Sequence, residues 1–210
     1  MTSLKSKHCV SVLALAALCA CSSPNPVLYT ISPITGREQV GAPPVVDIEQ
    51  ISLARYLERS EIVRSSEGYR LTVMANDWWG EPLGAMLSRV MTTELQQRLP
   101  GSTVLGETGA VSVPFDTSIA LNVERLDENA SGLVVLQVQT ALHHEGKSGT
   151  VLRTFRFSAA PPTRGTTGEV VAISNTVAQL ADALAMMVVE STFYSKCCAR
   201  HRTASTSAIR

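Results

Sequence analysis

Two motifs, joined by a strand-like segment and followed by a helix, decide the fold of this chain. They read YLERSEIVR at residues 56–64 and DWWGEPL at residues 77–83. Residues 69–74 between them read YRLTVM, which has the β-branched and aromatic content of a strand. The stretch carries no nucleophile motif, metal-ligand cluster or phosphate loop in its sequence. It therefore indicates a structural or binding role rather than catalysis.

The second motif leads into the clearest helix pattern of the chain. Residues 83–99 place apolar side chains at spacings of three and four, which predicts an amphipathic helix that ends before Pro100-Gly101. We expect Pro82 at the first helical position, because the N–H that proline lacks would be unpaired there. This helix should cover the neighbouring strands with its apolar face.

Strands are predicted on both sides of that helix. Residues 45–51 form a β-branched segment after two prolines, and residues 62–64 and 69–74 predict a hairpin. Residues 103–105 predict a short strand that completes a strand-helix-strand unit. From Thr117 onward apolar and polar residues alternate in three segments, which is typical of an antiparallel meander.

A second helix is predicted after the meander. Thr166 and Glu169 have the spacing of a capping box, in which each side chain pairs with the other residue's backbone N–H. An apolar stripe continues to Val188, and polar residues at 175, 179 and 182 argue against a membrane span. Single apolar faces on helices and strands must be buried against one another, which predicts an α/β fold with a mixed sheet covered by helices.

The N-terminus has the organisation of an export signal. Lys5 and Lys7 precede a 12-residue uncharged run, which is shorter than the ~20 residues of a membrane span. The run ends in Leu18-Cys19-Ala20-Cys21, which resembles the lipobox of bacterial lipoproteins. Cleavage there would leave Cys21 as the acylated first residue; the alternative is an ordinary signal peptide that ends near a cysteine. Ser22 resembles the outer-membrane sorting pattern of such proteins.

The chain is therefore divided into four segments. We predict a signal peptide at 1–20, a lipidated tether at 21–44, one domain at 45–190 and a disordered basic tail at 191–210. Six of the 18 basic residues lie outside residues 21–190, which carry 12 basic and 18 acidic residues. This mildly acidic body argues against nucleic acid as a partner. The tail contains Cys197 and Cys198, whose Cα atoms are too close, at ~3.8 Å, for an unstrained mutual disulfide.

Few residues suggest chemistry. His143-His144-Glu145 is the one cluster of metal-ligand types, but neighbouring side chains on a strand point to opposite faces. We therefore expect no catalytic residue, no metal and no cofactor. Of the pair Trp78-Trp79, one ring is expected to fill the core between helix and sheet, while a lipid or partner contact is the alternative.

Taken together, the motifs resemble the ABC-type transport auxiliary lipoproteins. The resemblance is carried by the lipobox at Cys21, by Leu28-Tyr29, and by the two motifs of residues 56–64 and 79–83. The matching motif residues are Tyr56, Leu57, Arg59, Ile62, Val63, Arg64, Trp79, Pro82 and Leu83, to which we assign a role in folding first and in partner contact second. Gly80, Gly84 and the tail after Ser191 depart from the family pattern.

The resemblance implies a three-layer α/β sandwich with a mixed, largely antiparallel sheet and two main amphipathic helices. It also implies a non-catalytic lipoprotein on the outer membrane, facing the periplasm, that docks a protein with an MCE domain and, through it, an inner-membrane permease. Assembly into a homo-oligomer is expected by analogy. Two other hypotheses are a purely structural envelope lipoprotein and a hydrolase with an unrecognised site.

Overall fold

The computed structural model describes residues 25–66, 69–106, 113–146 and 149–206, with side chains for all of them except residue 66 and residues 194–206. Within those ranges the chain forms strands, one 3-10 turn and two α-helices. The strands are β1 Val27–Tyr29, β2 Val45–Ile48, β3 Ser52–Leu53, β4 Glu61–Ser66, β5 Arg70–Trp79, β6 Thr103–Gly106, β7 Thr117–Glu128, β8 Val134–His144 and β9 Thr150–Ala159. The 3-10 turn is Arg55–Leu57, and the helices are α1 Leu83–Arg98 and α2 Thr166–Thr206.

The strands form two sheets. The smaller has the order β1-β5-β4, with β1 parallel and β4 antiparallel to β5. The larger has the order β6-β2-β7-β8-β9, and β3 also pairs with β7. Here β2 runs parallel to β6 and β7, whereas β7, β8 and β9 form the predicted antiparallel meander. The predicted α/β class with mixed, largely antiparallel pairing and two helices is confirmed, although the strands divide into two sheets instead of one.

Helix α1 connects the two sheets. The predicted hairpin is confirmed as β4 and β5, and β5 leads into α1. The next strand, β6, pairs with β2 in the larger sheet rather than with β5. The predicted strand-helix-strand unit therefore spans two sheets.

The core lies where the two helices pack against each other and against the larger sheet. From α1 it receives the predicted apolar stripe, and from β5 it receives Trp79, which is buried, while Trp78 is partly exposed. Burying a large apolar side chain contributes ~1.5–3 kcal/mol, so this stripe is a main source of stability. Residues 166–193 of α2 are long and apolar enough to cross a membrane, but 67% of the most apolar window is buried inside the body. This helix therefore serves as a core helix.

The segment predicted as a tether is largely part of the body. Strand β1 lies within it, and Ile31 is buried in the core. We call residues 30–44 the N-terminal strap. Its backbone is bound to α1, because Ile34 N donates to Glu94 Oε1 at 2.8 Å and Gln39 N donates to the Arg98 carbonyl at 2.6 Å. The packed body thus begins at residue 27 rather than at residue 45.

Both ends of α2 also differ from expectation. The predicted capping box is wrong: the Thr166 hydroxyl donates to Asp77 at 2.7 Å, and the Glu169 carboxylate binds Arg64. These side chains are used for tertiary contacts, while Glu169 N bonds to the Gly165 carbonyl. At the other end the helix continues to Thr206, so the prediction of a disordered tail from residue 191 is wrong as well.

Candidate functional site

The two sequence motifs meet at a surface groove of about 910 Å³. The groove lies between the segment after β2 and the start of α1. It is lined by Gln50, Ile51, Ser52, Leu53, Arg55, Glu58, Arg59, Ser60, Trp79, Gly80, Glu81, Pro82, Leu83, Gly84 and Ala85. We call it the motif groove, because most of its wall comes from the stretch predicted to organise the fold.

Backbone hydrogen bonds hold the walls of the motif groove in place. Trp79 N donates to the Ser60 carbonyl at 2.7 Å, which joins the end of β5 to the first motif. Gly80 N donates to the Tyr29 carbonyl at 2.8 Å, which joins the second motif to β1. On the opposite wall Ala54 N donates to Val123 of the larger sheet at 2.9 Å. The groove is therefore built on both sheets.

The start of α1 forms one end of the groove. Pro82 occupies the capping position, with φ −52° and ψ 128°, and the helix begins at Leu83. This is one residue later than predicted, because the extended ψ of Pro82 excludes it from the first turn. Leu83 is buried beneath the groove, and a Cβ at Gly84 would lie at ordinary contact distance from the Ile51 carbonyl and the Leu53 side chain.

The charges around the motif groove are balanced. Arg55 and Arg59 oppose Glu58 and Glu81 in its lining. Arg59 lies 3.5 Å from Glu61, and its side chain is 47% exposed. The pKa of Glu61 is lowered by its own backbone N–H and by Arg59. A rim of paired and accessible charges suits a reversible polar contact better than the binding of a buried ion.

Tyr56 supports the groove from behind rather than lining it. Its hydroxyl donates to Asp127 Oδ2 at 2.7 Å, and the other oxygen of Asp127 accepts from Arg125 at 2.8 Å. Asp127 is buried, and both of its carboxylate oxygens accept hydrogen bonds, as buried polar groups require. Burial and the neighbouring carboxylate raise the pKa of Tyr56. The pair fixes the 3-10 turn to β7.

Arg64, the last residue of the first motif, organises a cluster at the first turn of α2. Its Nε lies 2.7 Å from Glu169 Oε2 and 3.6 Å from Glu128, and its Nη2 donates to Thr166 at 3.3 Å. Thr166 in turn donates to Asp77 of β5. Burial raises the pKa of Glu169, and Arg64 opposes that shift. This cluster joins the smaller sheet to α2.

A second buried cluster was not predicted from the sequence. Arg98 is 1% exposed and donates to Asp182 at 2.6 Å and to the carbonyls of Ile34, Glu94 and Ala178. Glu94 is fully buried, and burial raises its pKa to about 7 despite the Ile34 amide and Arg98. The one available signal was the spacing of Glu94 and Arg98 at i and i+4, which is equally typical of a solvated helix face.

The predicted motif residues thus separate into three groups. Arg59, Trp79, Pro82 and Leu83 line the motif groove. Leu57, Ile62 and Val63 are buried and contribute packing, and Tyr56 and Arg64 form the polar contacts described above. Cys21 and the side chains of Cys197 and Cys198 lie outside the part that the structure describes.

The polar side chains that line the motif groove are serines, glutamates, arginines and one glutamine. Its lining contains serines but no histidine or cysteine that could activate a nucleophile. His144 lies on β8, where its Nδ1 is 2.7 Å from the Thr117 hydroxyl. Among the described residues, no group of three metal-ligand side chains is close enough to hold an ion. What the groove offers is a sizeable, partly apolar surface with polar edges.

The fold defines the class of the protein as an α/β domain, and the comparisons with known proteins place it more narrowly. The family model of the ABC-type transport auxiliary lipoprotein component matches residues 29–185. The chain therefore belongs to that family of transport-associated lipoproteins. No curated protein matches the chain.

Solved structures share the fold. An uncharacterised protein of known crystal structure has a TM-score of 0.68 at 19% identity, covering 79% of this chain and 99% of its own. Protein XCC0632 from Xanthomonas campestris has a TM-score of 0.67 at 14% identity, covering 81% of this chain and 99% of its own. At these identities the likeness establishes the architecture alone.

Proposed function

We propose that this protein is a non-catalytic lipoprotein subunit of an ABC/MCE-type envelope transport system. In this proposal Cys21 carries the lipid that anchors the chain to the outer membrane, and the body faces the periplasm. The motif groove docks the periplasm-spanning MCE component, and through it the inner-membrane permease. The observation that supports this most is that both family motifs converge on one accessible groove that lacks a catalytic set.

The groove fits a protein segment better than a small molecule. It is open rather than enclosed, and its lining alternates apolar residues such as Ile51 and Leu53 with exposed charges such as Arg59 and Glu58. Protein interfaces combine an apolar centre with a polar rim in this way. Docking would therefore bury Leu53 and exchange the Arg59–Glu61 ion pair for contacts with the partner.

Charge reversal in the groove tests the docking. Arg59→Glu changes an exposed residue of the rim, so it should leave folding intact. We expect it to weaken binding of the MCE protein about tenfold, because the reversed charge would place like charges opposite each other at the interface, which is costly. The matched control is Arg156→Glu on β9, which makes the same charge change at an exposed site far along the sheet.

Cross-linking in cells provides the second measurement. A photoreactive residue at position 59 should capture the MCE protein, and the same residue at position 152 should not. If neither position captures it while both variants remain membrane-bound, the docking role is wrong and a structural envelope lipoprotein is favoured. Separately, Cys21→Ala should move the protein to the soluble periplasm; an unchanged outer-membrane fraction would contradict the anchor.

A further inference from the structure

The β4–β5 hairpin carries exposed apolar side chains beyond the body of the domain. We call residues Tyr69–Val73 the hairpin end. Tyr69 is fully exposed, Leu71 is 47% exposed and Val73 is 38% exposed. Residues 70–73 are all exposed although neighbouring side chains of a strand point to opposite faces, so both faces of β5 are uncovered there. Leu71 and Val73 lie two residues apart on one face of β5 and Tyr69 directly precedes the strand, so they form an apolar strip rather than scattered exposed side chains, and such strips mark interaction sites.

The direction of the hairpin is fixed by its pairing with β1. These two strands are parallel, with Val27 opposite Asp77 and Tyr29 opposite Trp79. Moving back along β5 from Asp77 to the hairpin end therefore follows the same direction as moving back along the chain from Val27. The N-terminal end of β1 therefore faces the same way as the hairpin end.

The lengths of the two segments are matched. Cys21 precedes Val27 by six residues, and Leu71 precedes Asp77 by six residues. Six residues of chain reach at most about 20 Å, whatever their conformation. Six residues of strand span about 20 Å as well. A membrane that lies beyond the N-terminal end of β1, along the axis of β5, would therefore be no further from Val27 than the hairpin end extends when Cys21 carries its lipid.

We propose that the hairpin end is a membrane-contact element, which places Tyr69 and Leu71 in the interfacial layer of the bilayer that holds the Cys21 lipid. This inference rests on the acylation of Cys21 proposed above. Tyrosine suits the interfacial layer because its ring is apolar and its hydroxyl stays hydrated. The contact orients the domain, since the anchor and the hairpin give two points of attachment beside β1.

Depth-dependent fluorescence tests this contact. The acylated full-length chain is reconstituted in phosphatidylethanolamine and phosphatidylglycerol vesicles that contain a phospholipid brominated on its acyl chains. The test variant is Leu71→Trp, and the control is Leu152→Trp at a leucine of β9 that is 73% exposed. The unsubstituted chain supplies the background from Trp78 and Trp79. We expect about twofold quenching of the added signal at position 71 and none at position 152.

A second substitution separates insertion from mere proximity. Adding Tyr69→Asp to Leu71→Trp should remove the quenching, because a carboxylate opposes entry into the interface. Both positions are exposed, so unchanged circular dichroism and thermal unfolding should accompany the change. Equal quenching at positions 71 and 152, or quenching that survives Tyr69→Asp, would overturn the inference.

Three further outcomes would also overturn it and can be told apart. If mass spectrometry finds the acyl group on Cys21 but position 71 is not quenched, the hairpin contact is wrong and the anchor stands. If position 71 is unquenched and cross-links between copies instead, the hairpin end is an interface of an oligomer. If no acyl group is found on Cys21, the anchor of the proposed function and this inference both fail.

Discussion

Arg98 and Arg64 each bind a glutamate that is fully buried, yet they use their remaining N–H groups differently. Arg98 donates to three backbone carbonyls and to Asp182, and it joins the N-terminal strap to both helices. Arg64 is 25% exposed and contacts only side chains in the bonds described, those of Glu169, Thr166 and Glu128. Along α2, Glu169 and Asp182 are about 20 Å apart, so the clusters act at separate places.

This difference predicts which cluster loses less stability when its arginine is replaced. Around Arg64, the partly exposed Glu128 can turn toward water when the arginine is removed, whereas Glu169 stays buried. The carbonyls around Arg98 belong to helices and strap, and they cannot turn away without unfolding. In both clusters one glutamate oxygen, Oε2 of Glu94 and Oε1 of Glu169, has no hydrogen-bond partner among the described residues. Replacing the arginine would therefore remove the ion-pair partner of a buried glutamate that already has one oxygen without a hydrogen bond.

The largest effect is expected from Arg98→Met. Removing one member of a buried ion pair leaves the other uncompensated, and we expect a loss of about 3–5 kcal/mol in the free energy of unfolding. Urea denaturation of the full chain measures it. The control is Arg89→Met, which breaks the exposed pair with Glu81 and should cost less than ~1 kcal/mol. A loss at Arg98 no larger than in this control would mean that the cluster adds no stability.

Arg64→Met should have the second largest effect. Because water reaches this arginine, we expect a loss of about 2–3 kcal/mol. Lysine replacements sharpen the comparison: Arg64→Lys should recover most of the loss, since one ammonium can serve Glu169. Arg98→Lys should recover little, because it lacks the planar fork that reaches several carbonyls. Equal recovery at both positions would contradict the distinction drawn here.

The third prediction concerns pH and Glu94. Its pKa is raised to about 7 in the folded protein, so the folded state holds this proton more tightly than the unfolded state. The resulting stabilisation is complete below the unfolded pKa near 4.5 and is lost as the pH rises through 7. Between pH 5 and 8 we expect the unfolding free energy to fall by on the order of 2 kcal/mol relative to Glu94→Gln. Glutamine keeps an acceptor for Ile34 N but does not titrate, so parallel pH profiles would show that Glu94 is not responsible.

Tyr56→Phe is the mildest of the four. It removes one hydrogen bond to Asp127, whose other oxygen keeps its contact with Arg125, so we expect a loss of about 1 kcal/mol. Thermal unfolding measures this change. Binding of the MCE protein should be unaffected, because the ring packs behind the motif groove. Weaker binding of the MCE protein at unchanged stability would mean that Tyr56 contacts the partner directly and does not only support the groove.

Much of the fold could be predicted because its signals are local. The apolar stripe of α1 and the alternation in β7, β8 and β9 follow from burial on one face of each element. Strand β1 has only three residues and pairs in parallel with a strand about fifty residues away, so its sequence carries little indication of that partner. The division into two sheets has the same cause, since it depends on which strands pair at long range.

The polar clusters could not be predicted for a different reason. Thr166 and Glu169 have the spacing of a capping box. In the structure, however, both side chains bind residues from distant elements, Thr166 with Asp77 and Arg64 and Glu169 with Arg64. In the sequence, Glu94 and Arg98 have the spacing of a solvent-exposed ion pair. In the folded protein the strap covers both residues. By contrast, the groove lining at Arg59, Trp79, Pro82 and Leu83 was found through the family motifs, although its shape required the structure.

The parallel pairing of β1 with β5 also has a mechanical consequence. If Cys21 carries the proposed lipid, a pull on the anchor acts on the N-terminal end of β1, which is held to β5 by backbone hydrogen bonds between the two strands. The load is then shared by these bonds at once, in shear, instead of opening them one after another. Behind β1 the force passes to the strap, where Ile34 and Gln39 are fastened to α1. With Cys21 acylated as proposed, tension on the anchor would therefore reach the helical core through the strap and also the wall of the motif groove, where Gly80 is bonded to Tyr29 of β1.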